Sequence, residues 1–202
     1  GKTVFEVVML ADQYGNLVGA ANPSGMSVDG FGRARTTQPY TLFDSFHRYS
    51  DNGEKVTANT ATATHTFNAN TASVDCTVDT TSGAYVYRES NKVFAYQPGK
   101  SLQVLITFVM NTSKTNLRQR VGYFGTDNGI YLENDGTTNY LVLRSNTTGT
   151  IVNTRVAQSD WNYDPLDGTG PSLLTLNLDD PQIFWTDVEW LGAGSIRCGF
   201  VI

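Results

Sequence analysis

The stretch RQRVGYFGTDNGIYLENDGTTNYLVLR, residues 118–144, decides the fold. Apolar and polar residues alternate with period two in three runs, 118–125, 129–133 and 140–144, as they do in strands that turn one face to a core. Between the runs stand Thr126-Asp127-Asn128-Gly129 and Asn134-Asp135-Gly136, which supply the positive-φ positions of tight hairpins. The segment predicts a three-strand antiparallel meander.

The same period continues outward. Strands are expected at 3–10, 73–79, 84–89, 101–110, 151–157, 173–178, 183–191 and 195–202. Residues 22–35 are Gly-rich and turn-forming, 51–64 read as an exposed loop or weak edge strand, and 160–171 as an irregular loop. Asp179-Asp180-Pro181-Gln182 could begin a single helical turn, with Pro at the first helical position. No segment shows a 3.6 period. About a dozen short strands point to an all-β, antiparallel two-sheet β-sandwich. The expected division is 1–50, a strand and extended arm or extra layer, and 51–202, the sandwich. The apolar ending Gly199-Phe200-Val201-Ile202 and the start on Gly1-Lys2 are expected of a portion of a longer polypeptide.

Composition sharpens the class. Of 202 residues only 16% are charged, while 10 Tyr, 10 Phe, 3 Trp and 19 Gly are present. So many aromatics argue against disorder, and no apolar run approaches the ~20 residues of a membrane helix. A net charge of -5 without a Lys/Arg cluster argues against binding nucleic-acid phosphates. Cys76 and Cys198 each fall in an expected strand and read as small buried side chains.

Few residues carry a pattern for chemistry. His47 and His65, the only histidines, lack metal-ligand or triad partners in sequence. No metal site, cofactor or catalytic residue is expected. Asp127-Asn128-Gly129, Asn134-Asp135-Gly136 and the 164–168 loop offer oxygens, but with turn spacing rather than calcium-loop spacing. On the strand at 183–191, Trp185, Asp187 and Glu189 share one face. Two carboxylates beside an indole suit a glycosidase cleft, in which a retaining pair stands about 5–5.5 Å apart. An arginine such as Arg197 on the next strand would instead make them an ordinary ion pair. Trp161, Tyr163 and Asp164 lie on the long loop, where aromatics with Asp suit either sugar stacking or pinning the loop to the sandwich. These six residues are the candidate glycan ligands.

Several segments in order carry a resemblance: Val28-Asp29-Gly30-Phe31-Gly32-Arg33, Gln38-Pro39-Tyr40-Thr41-Leu42-Phe43-Asp44-Ser45, Tyr96-Gln97-Pro98-Gly99-Lys100-Ser101-Leu102, the 117–124 run, Asp167-Gly168-Thr169-Gly170-Pro171-Ser172 and Glu189-Trp190-Leu191-Gly192. Together they resemble a family of virion structural proteins of tailed, largely marine, bacteriophages, from about residue 26 to the C-terminus. The 118–136 pattern also resembles the concanavalin and laminin-G type of jelly roll, shared by lectins and laminarinase-like glycosidases. In those enzymes Glu, Asp and Glu alternate. Here the nucleophile's position is Trp185, so the likeness implies architecture and not activity. The resemblance implies a non-enzymatic virion protein of head decoration, neck, tail or fibre. It implies a homo-oligomer, foremost a trimer, packed on other virion proteins, with no nucleic acid or membrane partner. The alternatives are a carbohydrate-binding adhesin facing a host-surface glycan and a jelly-roll glycoside hydrolase.

Overall fold

The computed structural model describes residues 40–51, 53–98, 100–189 and 195–201, and the expected strand at 3–10 and Gly-rich stretch at 22–35 lie outside them. The described residues divide into two compact units, one ending at Phe94 and one beginning at Ala95. The division thus falls later than the 50/51 boundary expected from composition.

The first unit holds two antiparallel pairs. Strand β1 (Lys55–Asn59) pairs with β4 (Val86–Ser90), and β2 (Thr64–Asn68) with β3 (Ser73–Thr77). The Thr/Ala/Asn segment at 51–64 is therefore partly an ordered strand. Arg88 of β4 donates to Thr57 Oγ1 at 3.0 Å and pairs with Asp51 at 2.5 Å, which ties the preceding loop to the sheet. Strand β2 carries Thr-His-Thr-Phe-Asn, too polar for an apolar alternation to reveal it.

The second unit holds two facing sheets. One has the order β11-β10-β5, built from β5 (Leu102–Phe108), β10 (Gln182–Glu189) and β11 (Ser195–Val201). The other is the expected meander, extended by one strand: β6 (Gln119–Phe124), β7 (Gly129–Asn134), β8 (Asn139–Ser145) and β9 (Val152–Ala157), in sequential order. Their inner faces meet in one core of Met110, Leu132, Leu178 and Phe184, walled by Val121, Leu141, Trp161, Leu176, Cys198 and Phe200. All strand pairings among the described residues are antiparallel, so the fold is all-β with a sandwich in the unit that begins at Ala95.

Three expectations need correction. Residues 173–178 form no strand. Leu173 takes a left-handed φ of 58°, and the segment makes only one bridge, Asp167 with Thr175. Its alternation is nonetheless used, because Leu176 and Leu178 enter the core. No helical turn forms at 179–182, because the Asn177 side chain claims the chain there. Its Oδ1 accepts the Asp179 N–H at 3.2 Å and its Nδ2 donates to Asp180 at 2.8 Å, a local turn that competes with a helix. The only helical element among the described residues is a 3-10 turn, Gln158–Asp160. Both thiols are free. Cys198 belongs to the core wall as expected, but Cys76 is solvent-exposed.

Candidate functional site

The outer face of the meander is built by register. Arg120 stands opposite Glu133 and then Tyr140; Gly122 opposite Tyr131, Val142 and Arg155; Phe124 opposite Gly129, Arg144 and Asn153. Side chains directly opposite in an antiparallel pair share a face. One face of a four-stranded sheet thus gathers Arg120, Arg144, Arg155, Glu133, Tyr131 and Tyr140.

Glycine makes room for it. A Cβ on Gly122 would lie 2.6 Å from the Tyr131 Cα, so only Gly lets β6 approach β7 here. The ring of Tyr131, fully buried, rests against Phe124 at 4.6 Å, with the guanidinium groups of Arg120 and Arg144 over it at 5.5 and 5.6 Å. Its hydroxyl donates to Asn153 Oδ1 at 3.3 Å. Arg155 lies over Tyr140 at 5.4 Å.

Glu133 is 0% exposed. Its Oε2 accepts from Arg120 Nε at 2.6 Å, its Oε1 from Arg155 Nη2, and Arg118 Nε stands 3.8 Å away. A buried carboxylate is tolerated only when paired, and here one carboxylate meets three guanidinium groups. The local charge is positive within a chain of net charge -5.

Amides close the end of the sheets. Asn134 Nδ2 donates to Asn139 Oδ1 at 2.7 Å and Asn139 Nδ2 to Gln158 Oε1 at 2.9 Å. Gln158 Nε2 then donates to the Pro165 and Leu166 carbonyls at 2.9 and 3.0 Å, anchoring the long loop.

The residues singled out from sequence lie elsewhere, three on β10 and three on the 161–164 loop. Trp161 is a wall of the core. Its ring stacks 6.2 Å from Phe200 and its Nε1 donates to the Val156 carbonyl at 3.3 Å, the pinning role. Tyr163 is 83% exposed. Asp164 organises its own loop, accepting the Leu166 and Ser172 N–H groups at 2.8 Å each, and these bonds hold its carboxyl below the usual carboxylate range. Trp185, Asp187 and Glu189 do share one face of β10, between β5 and β11. Asp187 is buried, stands opposite Arg197, and has Gln103 on its other side. Trp185 stands opposite Gly199, where an added Cβ would come within 2.9 Å of the indole.

The acidic turns serve the backbone. Asp135 Oδ1 accepts from the Thr137 and Thr138 N–H groups and the Thr137 hydroxyl, at 3.1, 3.0 and 2.9 Å. Asp167 Oδ1 accepts from the Thr169 N–H and hydroxyl at 2.9 and 2.6 Å. Asn146 satisfies Asp127 at 3.0 Å. Among the described residues no group of three His, Cys, Asp or Glu could hold a metal ion. His47 approaches Arg88 at 3.2 Å; burial, Lys55 and Arg88 push its pKa down.

The arginine–tyrosine face was missed at the level of sequence, although its signal was present. Arg118 and Arg120, Tyr131 and Glu133, Tyr140 and Arg144 keep one parity each, and the two turns fix the register that aligns them. No family model, curated protein or solved structure matches the chain.

Proposed function

We propose that this chain is a non-enzymatic structural protein of a tailed-phage virion that assembles with copies of itself, as a trimer, and packs on other virion proteins. The ordered resemblance of residues 26–202 supports the virion setting, and the jelly-roll reading of the sandwich goes with it.

One observation carries the assembly part. In the unit that ends at Phe94, Ala63 is the sole fully buried apolar residue among the described ones. Tyr40, Phe46, Tyr49, Tyr85, Tyr87 and Val93 are exposed, with Tyr85 and Tyr87 stacked 5.9 Å apart. Two-stranded sheets are marginal alone, and an exposed pair of stacked rings such as Tyr85 and Tyr87 suits a surface that meets a partner. A neighbouring copy would supply the missing burial.

Native mass spectrometry of the purified chain tests this. A homo-oligomer, with amide exchange in residues 40–94 slowed in the assembled form, is the expected result. A chain that stays monomeric at high concentration, with 40–94 protected within the monomer, would sink it. A glycan-binding reading on the 161–164 loop is supported only by exposed Tyr163, since Trp161 is committed to the core.

A further inference from the structure

A cleft of about 490 Å³ opens beside the arginine face, lined by Thr115, Asn116, Arg118, Asp135 and Thr137. Its walls are the segment after β5 and the β7–β8 turn. Both are fixed in place. Gln119 clamps Asn111 through two bonds of 2.8 Å, Asn134 Nδ2 donates to Ser113 Oγ at 2.8 Å, and Thr112 donates to Asp179 at 2.9 Å. Gly136 packs so tightly beneath the Lys114 carbonyl that no Cβ would fit. A cleft whose walls are held this way is preorganised for a ligand.

Arg118 is the group that calls for a partner. Its side chain is 51% exposed, and its one ion-pair partner among the described residues, Glu133 at 3.8 Å, already accepts from Arg120 and Arg155. Among the described residues Arg118 makes no hydrogen bond, which leaves the five donors of its guanidinium unclaimed. Across the cleft, Asp135 spends Oδ1 on its own turn, while its Oδ2 takes no bond among the described residues. Asn116 and Thr115 add amide and hydroxyl groups.

We propose that this cleft binds a monoanionic polyhydroxy ligand of the acidic-saccharide class, its carboxylate on Arg118 and its hydroxyls on Asp135, Asn116 and the threonines. The guanidinium fork matches a carboxylate through two parallel bonds. A carboxylate on the opposite wall accepts hydroxyls and repels a second anionic group, which disfavours phosphate chains and nucleic acid. None of the described residues that line the cleft is aromatic, so they offer a neutral sugar no stacking platform. The proposal goes beyond the assembly role and stands without it.

Calorimetric titration of the full chain at low salt, with a trisaccharide bearing a single uronic acid, its neutral counterpart and inorganic phosphate, provides the test. The acidic trisaccharide is expected to bind saturably and the neutral one not. Arg118→Gln should weaken binding roughly 10- to 100-fold, the range for losing a charged hydrogen-bonding partner. Arg118→Lys should restore part of it, because the charge returns without the fork. Unchanged melting temperatures would show that both variants remain folded. No saturable binding, equal binding by wild type and Arg118→Gln, or phosphate and neutral sugar bound as tightly as the acid would each overturn the proposal.

Discussion

At the residue scale the least replaceable side chain is Glu133. It is fully buried, and its two oxygens neutralise part of the charge of Arg120 and Arg155, which are only partly exposed. Removing one partner of a buried pair leaves the other uncompensated, at about 3–5 kcal/mol; partial solvation of the arginines places Glu133→Ala near the lower end, about 3 kcal/mol. Urea denaturation measures it, and a loss under about 1 kcal/mol would show that the carboxylate is dispensable to the sheet. Thr186 is the converse case. It is buried on β10, and its hydroxyl has no hydrogen-bond partner among the described residues. Thr186→Val removes a desolvated polar atom at nearly constant volume and is expected to stabilise by about 1 kcal/mol. A destabilised variant would mean that the hydroxyl is satisfied after all.

At the element scale the β7–β8 turn shows how a few polar atoms set register. Asp135 accepts three local bonds, and the Thr138 and Thr137 groups that donate them hold its carboxyl below the usual range. The folded value is therefore lower than the unfolded one. The stability it contributes is present above the unfolded value, near 3.9, and is lost as pH falls through the lower folded value. Asp135→Asn keeps an acceptor but not the charge. Wild type should be the more stable at neutral pH, with the gap closing on acidification; a gap constant across chemical denaturation curves at each pH would refute the account. This meander was legible because Asn/Asp-Gly turns and period-two runs agree. Leu173–Leu178 was not, because alternation alone cannot tell a paired strand from a crossover that drops Leu176 and Leu178 into the core. Strand β2 was silent for the opposite reason: His65 and its threonines are exposed, so no core face imprints on the sequence. The arginine face was hidden by distance in sequence, since Arg120 and Arg155 meet Glu133 only through the register of three strand pairs.

At the scale of the whole molecule, burial is distributed unevenly. Apart from Ala63, every fully buried apolar residue among the described ones lies between Met110 and Val188, within the unit that begins at Ala95. A single core shared by two facing sheets suffices for independent folding at about 100 residues. Residues 95–202 expressed alone are therefore expected to unfold in one cooperative urea transition, whereas residues 40–94 alone should not. The fragment carries its own reporter, since Cys198 is its single thiol. Burial raises that thiol to about 12. At pH 8 its thiolate would be roughly a thousandfold scarcer than that of a free cysteine, so labelling should require opening of the fold. The sign of the linkage gives a second check. A raised folded value means that the neutral thiol is favoured in the fold; stability is intact below the unfolded value, near 8.5, and declines as pH rises toward 12. A broad, non-cooperative melt, or a Cys198 labelled as fast as a free thiol, would mean that the sandwich cannot close without the first 94 residues. The assembly proposed above would then have to be tested on the whole chain rather than on the two units separately.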